Sequence, residues 1–350
     1  MEFLPISSES LKKGAEIIKN GGLVAFPTET VYGLGADAFN PRALAKIFEV
    51  KNRPYFDPLI IHIASVETLE KTANLSILGK DTQKKLFLLA ENLWPGPLSI
   101  VLPKNEKIPG IATAGMRTAA VRIPDHDGAR ELILLCGTAV AAPSANPFGS
   151  LSPTRAQHVL NSLGEKADLI LDGGVTRIGL ESTVLDITGG QIKILRPGGT
   201  PKEAIEKLIG PVQEADSSGR EVKCELNSPG MLKSHYAPKA ALYALSREDI
   251  IKKRHEEETD TSLKIAYIFF DGHTGDEWKA VHKMTENVIV KILSQTGQMR
   301  EAASRFFDTL HELDNENISR IYAQFAPDRG LGEAINDRLA RASNNQDRGK

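Results

Sequence analysis

The sequence is poor in cysteine, with only Cys136 and Cys224 among 350 residues. Two cysteines do not make a disulfide framework or a cysteine-rich metal site, and the histidines lack the spacing of a zinc site. No window reaches the ~18 consecutive apolar residues that a membrane-spanning helix needs. The first residues also lack the basic start and apolar core of a signal peptide. We therefore expect a cytoplasmic protein without a membrane segment.

The familiar nucleotide-binding and nucleophile motifs are missing as well. No Walker-type phosphate loop is present, and no dinucleotide fingerprint follows the first predicted strand. The glycine-rich stretch 173–179 matches neither pattern, and no serine nucleophile elbow stands out. The formal net charge is −2, so the chain has no overall basic field to attract nucleic acid, although a local basic groove stays possible.

Length and patterning predict two α/β domains. A chain of 350 residues suits two domains, and 41% hydrophobic with 25% charged residues is ordinary for a globular protein. Up to about residue 200, strands and helices alternate but some strands follow one another directly, which indicates a mixed sheet. The predicted helices are 8–20, 43–51, 81–93, 127–136, 154–163 and 201–209. The predicted strands are 23–26, 59–64, 98–103, 119–124, 138–143, 169–172, 182–187 and 193–196.

The composition changes after about residue 200. A polar stretch rich in Ser, Gly and Pro, 210–230, indicates a linker or a long functional loop. The pattern of strands and helices then restarts, and it indicates a small doubly wound domain with three strands. The predicted strands are 241–245, 264–270 and 320–325, and the predicted helices lie near 247–258, at about 277–313 and at 332–342.

Four predicted strands end in small polar residues or in arginine. Strand ends in α/β sheets are where ligands bind, and hydroxyl and guanidinium groups donate hydrogen bonds to anionic or zwitterionic ligands. Turns also use Ser, Asn, Gly and Pro, so any one of these stretches alone is more simply a loop. The four together favour a binding cleft. They are VAFPTETVYG (24–33), TAAVRIPDH (118–126), AAPSANPFG (141–149) and LESTVLD (180–186).

A fifth stretch, KNRPYFDPLIIHIA (51–64), carries two cations and a histidine. Lys51 and Arg53 lie at a predicted helix end, where cations suit the helix dipole and a proline stops the helix. The sharper alternative is a polyphosphate clamp, in which arginine forks to phosphate oxygens and lysine adds a point charge. His62 alternates with isoleucines along a strand, and such a histidine is more often structural.

These motifs, taken in order, resemble the YrdC-type domain of the L-threonylcarbamoyladenylate synthases. The matching stretches are PTETVYGLGADA, KNRP with PLIIHI, LWPGPLSIVLP, AAVRIPDH, APSANPFGSLSPT, LDGG, ESTVLD and LRPG. SPGMLKSHYAP (228–238) and GLGEAINDRLARAS (330–343) resemble the linker and C-terminal domain of the two-domain members. The resemblance covers about residues 8–345.

The resemblance implies a three-part organisation. Residues 8–205 would form an α/β domain of YrdC type, an open twisted mixed sheet with a large concave cleft. Residues 206–238 would form a linker or lid over the active site. Residues 239–345 would form a smaller Rossmann-like α/β domain.

The resemblance also implies an activity. Its members make threonylcarbamoyl-AMP and pyrophosphate from L-threonine, hydrogencarbonate and ATP, with Mg²⁺ accompanying ATP and no organic cofactor. The product feeds threonylcarbamoyladenosine formation at position 37 of tRNAs that read codons beginning with A, through a downstream threonylcarbamoyl transferase complex. A weak contact with tRNA, or with double-stranded RNA, is compatible with the concave surface of the domain.

Individual roles follow from the resemblance, residue by residue. Arg122 would pair with the threonine carboxylate, Lys51 and Arg53 would be the catalytic pair at the ATP phosphates, and Tyr236 would cover the nucleotide. The residues implied at L-threonine are Thr30, His62, Arg122, Ala142 and Ser182. The residues implied at ATP are Lys51, Arg53, Asp57, Thr118, Ser144, Asn146, Arg196 and Tyr236. No convincing general base stands out, and the chemistry need not have one.

Two positions depart from the family pattern. Tyr55-Phe56-Asp57 replaces a usually polar run, and an acid at Asp57 would repel a triphosphate unless it meets Mg²⁺ or points away. Leu232-Lys233-Ser234 lacks a basic residue just before His235, which affects the phosphate contacts expected of the linker.

Two other functions stay open on the sequence. One is RNA binding without catalysis, but residues 1–200 hold 21 Lys+Arg and 20 Asp+Glu, which speaks against it. The other is a carbamoyltransferase-type enzyme that makes a different carbamoyl adenylate, but its extra zinc-finger and acylphosphatase-like segments are not visible. The C-terminal domain shows no catalytic motif, and Asn336, Asp337 and Arg338 are expected to face solvent or an interface.

Overall fold

The computed structural model describes residues 1–215, 236–253, 263–316 and 318–343, which form two compact units. The first unit comprises Met1–Phe148, Ser152–Arg177 and the chain from Glu181. The second comprises Gly149–Leu151, Ile178–Leu180 and the chain after the linker. None of the helices in the described ranges is long and apolar enough to cross a membrane.

The first unit is built on an 11-stranded mixed sheet in the order β1-β8-β2-β3-β7-β4-β6-β5-β9-β10-β11. Its strands are β1 Glu2–Pro5, β2 Val24–Phe26, β3 Gly33–Asp37, β4 Ile60–His62, β5 Leu98–Pro103, β6 Thr118–Arg122, β7 Val140–Ala141, β8 Leu169–Asp172, β9 Thr183–Asp186, β10 Lys193–Arg196 and β11 Gln213–Glu214. Its helices are α1 Ser8–Lys19, α2 Pro41–Lys51, α3 Lys80–Leu93, α4 Asp127–Cys136, α5 Ala156–Leu163 and α6 Lys202–Ile209. Parallel and antiparallel neighbours both occur, which confirms the mixed sheet.

Local sequence signals explain where the helices begin and end. Helix α1 starts at a capping box, in which the Ser7 side chain accepts from the backbone N–H of Ser10 and the Ser10 side chain accepts from that of Ser7. Helix α2 has Asn40 as its N-cap and Pro41 at its first position, and it ends at Asn52, whose φ of 51° is left-handed. The chain is therefore turned sharply just after Lys51.

Apolar side chains alternate between the two faces of the sheet. Ala25 and Ile170 belong to the core that α2 and α3 cover. Val24 and Leu169, one residue earlier on the same strands, belong to the core that α1 and α4 cover. Because successive strand residues point to opposite faces, the sheet lies between two helical layers. The strands therefore read as continuous apolar runs.

Three strands of the first unit were not predicted from the sequence. Strand β1 is short and mostly exposed, and it pairs with β8. Strand β3, GLGAD, is rich in glycine, which has low strand propensity, but it pairs with β2 and β7. Strand β11 pairs with β10 in register Lys193↔Gln213. The unit thus extends on both sides of the range 8–205 indicated by the sequence.

The second unit is a parallel four-stranded sheet in the order β12-β15-β13-β14, with helices between the strands. This arrangement confirms the Rossmann-like expectation. Its strands are β12 Ala241–Leu245, β13 Ile265–Asp271, β14 Val288–Ser294 and β15 Arg320–Gln324. Its helices are α7 Arg247–Lys252, α8 Gly272–Val281, α9 Met299–Asp314 and α10 Leu331–Ser343.

The predicted helical stretch 277–313 is wrong. It holds the end of α8, the strand β14 and most of α9, so the domain has four strands rather than three. The sequence of β14, VIVKILS, is rich in β-branched residues, and it pairs along its length with β13. Tertiary pairing decided the structure of a segment that apolar periodicity alone had assigned to a helix. The predicted helix near 247–258 ends at Lys252, and residues 254–262 lie outside the described ranges.

The expectation that Asn336, Asp337 and Arg338 face solvent or an interface is wrong for Arg338. Arg338 is 0% exposed, and its Nη1 lies 2.7 Å from Oδ2 of Asp337. The Asn336 side chain accepts from the Ala326 backbone N–H at 2.8 Å and donates to the Ala326 carbonyl at 2.9 Å. The Asn336 side chain thus ties helix α10 to the segment that follows β15.

Candidate active site

Polar side chains form a band across neighbouring strands of the first unit. His62 on β4 lies opposite Arg122 on β6 in a parallel ladder. Ser99 on β5 and Arg196 on β10 both lie opposite Val184 on β9, one from each side. Because β4, β6, β5, β9 and β10 are neighbours in that order, the four polar residues cross the sheet together. All four are buried, which is unusual for polar side chains outside a functional site.

Arg122 is held by a buried carboxylate that the sequence analysis did not single out. Its Nη2 donates to Glu29 Oε1 at 2.5 Å, and its Nη1 donates to Thr30 Oγ1 at 3.2 Å. The other oxygen, Oε2 of Glu29, accepts from the backbone N–H of Asp125 at 3.1 Å. Glu29 is 1% exposed and Arg122 3% exposed. The signal for Glu29 was present in the sequence, as one acid among hydroxyls after an apolar strand.

The donors of Arg122 are not all used. Its Nε has no hydrogen-bond partner among the described residues. Burial lowers the pKa of Arg122, the charge of Glu29 raises it, and the charge of Arg196 lowers it further. Arg122 thus senses the charges of Glu29 and Arg196, and its Nε–H is available to an acceptor on a ligand.

The turn between β2 and β3 is fixed by threonine hydroxyls. Thr28 Oγ1 lies 2.7 Å from Thr30 Oγ1, and it donates to the Val31 carbonyl at 2.7 Å. The Tyr32 hydroxyl donates to the Gly174 carbonyl at 2.7 Å, and burial raises the pKa of this phenol. These bonds place the Thr30 hydroxyl against Arg122.

At the other end of the band, Ser182 lies between a serine and an arginine. Ser99 Oγ and Ser182 Oγ are 2.8 Å apart. Arg196 Nη2 donates to the Ser182 carbonyl at 2.8 Å and to Ser182 Oγ at 3.3 Å. The structure therefore joins Ser182, predicted at threonine, to Arg196, predicted at ATP. Ser99 was missed because a lone serine in an apolar strand gives no signal of its own.

Lys51 is buried and holds the loop that follows β7. Its ammonium group donates to the backbone carbonyls of Ser144, at 2.6 Å, and of Asn146. Its own carbonyl accepts from the backbone N–H of Phe148 at 2.7 Å. Burial lowers the pKa of Lys51 well below its usual value; the charge of Arg53 lowers it and that of Asp57 raises it. Lys51 thus fixes the backbone of both predicted nucleotide-contacting residues.

Arg53 and Asp57 form a buried ion pair. Arg53 Nη2 lies 2.9 Å from Asp57 Oδ2, and the guanidinium also donates to the carbonyls of Asp57 at 2.9 Å and Pro58 at 2.7 Å. The acid that seemed out of place in the sequence therefore points at the clamp arginine. Asp57 therefore offsets the positive charge of Arg53.

His62 is a neutral imidazole. Burial, and secondarily the charge of Arg122, lower its pKa to about 3. Its ring meets the Phe26 ring edge-on, with centroids 6.3 Å apart. Its Nδ1 has no hydrogen-bond partner in the described part of the chain. A neutral ring with a free nitrogen suits hydrogen bonding to a ligand more than charge pairing.

Three further predicted residues have different surroundings. The backbone N–H of Ala142 donates to the Ile60 carbonyl at 2.9 Å, so only its carbonyl is left to face a ligand. Ser144 forms an isolated bridge with Gly33, which brings the loop after β7 to the start of β3. Thr118 begins the strand that Arg122 ends, so the two are about 13 Å apart at ~3.3 Å per residue. The structure does not bring Thr118 to the band.

Tyr236 lies in the second unit. Its ring packs against Phe307, with centroids 5.7 Å apart, and the Arg338 guanidinium lies 5.3 Å above its centre. Its φ of 63° is left-handed, which is uncommon for a bulky residue. Residues 216–235, which include Leu232-Lys233-Ser234 and most of the expected lid, lie outside the described residues.

The described residues contain no cluster of three or more His, Cys, Asp or Glu that would hold a metal ion. The buried acids already have partners: Glu29 meets Arg122, Asp57 meets Arg53, and Glu181 accepts from the Ser152 hydroxyl at 2.5 Å. Mg²⁺ commonly binds through substrate phosphates and keeps much of its water.

Family models match nearly the whole chain. The Sua5/YciO/YrdC model, described as "Telomere recombination", matches residues 16–198. The model of the threonylcarbamoyl-AMP synthase C-terminal domain matches residues 200–344. The threonylcarbamoyl-AMP synthase of Pyrococcus abyssi is 40% identical to this chain, and the match covers 97% of this chain and 95% of the relative. The threonylcarbamoyl-AMP synthase of Bacillus subtilis is 37% identical, and the match covers 97% of this chain and 94% of the relative.

A solved structure has the same fold. The crystal structure of P. abyssi Sua5 complexed with L-threonine matches with a TM-score of 0.85 at 38% identity, over 98% of this chain and 96% of that one. Both the YrdC-type unit and the Rossmann-like unit are therefore those of this two-domain architecture. The chain belongs to the threonylcarbamoyl-AMP synthase family and is an enzyme.

Proposed function

We propose that the protein makes threonylcarbamoyl-AMP and pyrophosphate from L-threonine, hydrogencarbonate and MgATP. The observation that carries this proposal is the buried band in which Arg122, fixed by Glu29, lies on the same sheet as Arg196 and Ser182. The band offers one guanidinium to an amino-acid carboxylate and another to a phosphate. The P. abyssi structure complexed with L-threonine supports threonine as the amino acid.

Threonine would bind at the Arg122 end of the band. The free Nε–H of Arg122, beside its Nη groups, would fork to the carboxylate. Thr30 and Ser182 would supply hydroxyls, the Ala142 carbonyl would accept from the ammonium group, and neutral His62 would line the pocket. A neutral imidazole avoids adding a third positive charge beside two arginines.

ATP would bind across Lys51, Arg53, Ser144, Asn146 and Arg196. Lys51 and Arg53 already have protein partners, so phosphate must either replace those partners or bind a loop that they have shaped. Asp57 would offset part of the charge of Arg53 rather than contact phosphate. Thr118 would contact the nucleotide away from the band, and Tyr236 would cover the nucleotide. Mg²⁺ would neutralise phosphate charge as part of the substrate.

The reaction has two steps in this proposal. The threonine amine attacks the carbon of hydrogencarbonate, and a carbamate forms as one amine hydrogen and the hydroxyl group leave as water. If the amine attacks the dehydrated form CO₂ instead, a proton leaves and no water does. A carbamate oxygen then attacks the α-phosphorus, and the bond to the β-phosphate breaks to release pyrophosphate. The side chains would contribute positioning and neutralisation of the charge that develops on phosphate.

The wider role follows from the product. Threonylcarbamoyl-AMP would be passed in the cytoplasm to a transferase complex that modifies position 37 of tRNAs reading codons that begin with A. The proposal includes a direct, weak contact with tRNA or double-stranded RNA. Salt-dependent RNA binding without ATP turnover would favour the alternative of a plain RNA-binding module.

Pyrophosphate release tests the reaction directly. It is measured from ATP and hydrogencarbonate with and without L-threonine, for the native protein and for Lys51→Ala/Arg53→Ala. The matched control is Lys84→Ala/Lys85→Ala on the solvent-facing side of α3. We expect threonine-dependent release that the first variant loses and the control keeps. No release from folded protein that binds ATP would refute the synthase proposal, and turnover of carbamoyl phosphate with ATP would point to the carbamoyltransferase-type alternative.

A further inference from the structure

Two buried hydroxyls in the middle of the band leave one donor unsatisfied. Ser99 and Ser182 are 0% and 1% exposed, and their oxygens are 2.8 Å apart. In such a pair one hydroxyl donates to the other, so the hydrogen of the accepting hydroxyl must point elsewhere. Among the described residues neither serine has an acceptor for that hydrogen. A buried donor without a protein acceptor is costly, so this hydrogen is available to a bound ligand.

The surroundings favour an anion as that ligand. Arg196 donates to both oxygens of Ser182, at 2.8 Å and 3.3 Å, which turns its positive charge toward the serine pair. Arg122, on the strand next to that of Ser99, also has a donor without a partner. The serine pair and Arg122 therefore each leave one donor for an anion, and Glu29 is already bound to Arg122.

We propose that Ser99, Ser182 and Arg196 form the subsite for the oxygens of hydrogencarbonate and of the carbamate made from it. This inference rests on the proposed function. Ser182 belongs to the group of residues expected at threonine, and Arg196 to the group expected at ATP, and the two residues are in contact. The carbon that joins the threonine nitrogen to the α-phosphorus must lie where these groups meet.

The subsite assigns a job to each donor. The free serine hydrogen donates to the carbamate oxygen that stays a carbonyl. Arg196 offsets the charge on the carbamate, and the remaining oxygen is left to attack phosphorus. The bonds formed are N–C and O–P. The bonds broken are an N–H bond of the amine and a C–O bond of hydrogencarbonate, whose hydrogen and hydroxyl leave together as water, and the bond from phosphorus to the leaving pyrophosphate.

Ser99→Ala tests the subsite, because it removes the hydroxyl group and keeps the Cβ atom of residue 99. Pyrophosphate release is measured in buffer stripped of dissolved CO₂, with hydrogencarbonate, threonine and ATP varied in turn. We expect the KM for hydrogencarbonate to rise about ten- to hundredfold, as for the loss of one hydrogen bond to a charged ligand, with the other two KM values within about threefold.

Two further variants and one competitor make the test decisive. Ser10→Ala removes another buried hydroxyl of the first unit, at the N-terminus of α1, and should leave all three KM values unchanged. Ser99→Cys replaces the hydroxyl by a thiol, which is a weaker donor, so the KM for hydrogencarbonate should rise by an intermediate amount. This variant carries the test if Ser99→Ala does not fold. Nitrate, a planar anion, should compete with hydrogencarbonate in the native protein and compete less well in Ser99→Ala.

The outcomes separate this inference from the proposed function. A native protein that releases no pyrophosphate with threonine would refute the function itself. A native protein that is active, with a Ser99→Ala KM for hydrogencarbonate that is unchanged, would overturn the subsite alone. A rise confined to the KM for threonine would also overturn it, because the hydroxyl pair would then belong to the amino acid.

Discussion

Replacing Glu29 by alanine would leave Arg122 buried without its counter-ion. The pair is short, with Nη2 and Oε1 2.5 Å apart, and both side chains are almost wholly inaccessible to solvent. The same substitution removes the acceptor of the Asp125 backbone N–H. Arg122 would keep its bond to Thr30 but would lose the contact that fixes the plane of its guanidinium group.

The expected cost is large because the pair is buried. Removing one partner of a buried ion pair costs roughly 3–5 kcal/mol, most of it from the charge left behind. An exposed pair at the same distance gives the contrast: Arg130 Nη2 lies 2.5 Å from Asp127 Oδ1, but the Asp127 side chain is 98% exposed. Asp127→Ala should therefore leave stability almost unchanged.

Urea unfolding of the two variants, with threonine and ATP kinetics on the same samples, checks this reasoning. Glu29→Ala should lower the free energy of unfolding by about 3–5 kcal/mol, and Glu29→Gln by less because an acceptor oxygen is kept. In Glu29→Gln the KM for threonine should rise at least tenfold while the KM for ATP stays near its native value. If Glu29→Ala is as stable as Asp127→Ala, or if Glu29→Gln raises only the KM for ATP, Glu29 does not position Arg122.

Two other predictions concern buried titratable groups. The pKa of His62 is about 3 in the folded chain against an ordinary value near 6.5, so the unfolded chain takes up the proton first. Stability should fall by up to about 1.4 kcal/mol per pH unit between about pH 6.5 and pH 3, and His62→Gln should flatten that part of a urea-unfolding profile. Asp57→Asn should free Arg53 for phosphate, so the KM for ATP should fall as stability falls; a higher KM would mean that Asp57 itself serves ATP.

The fold could be predicted where the local sequence and the tertiary structure agree. The strands of the first sheet lie between two helical layers, so they appear as apolar runs that the sequence shows directly. Strand β3 could not be predicted in this way, because its glycines have poor strand propensity and part of its pairing is with β7, which is distant in sequence. Strand β14 was assigned to a helix, because its apolar residues continue the helical periodicity of the segments on either side.

The site could be predicted only in part, for a related reason. Thr30, Arg122, Ser182 and Arg196 stand at strand ends, where hydroxyls and arginine are conspicuous, and the structure brings them into one band. Ser99 lies inside an apolar strand, and only the register of β5 against β9 shows that it meets that band. Partners set by register and loop packing cannot be read from spacing along a chain.

The state of the buried groups constrains how the proton of threonine can leave. In the proposed reaction the ammonium group of threonine must lose a proton before its nitrogen attacks, and a general base would have to hold that proton at neutral pH. His62 is the imidazole in the band, and a pKa of about 3 makes it too weak a base for that task. Glu29 and Asp57 are each paired with an arginine. In the proposed reaction the proton would therefore leave on hydrogencarbonate or with the released water, and the protein would contribute positions and charges.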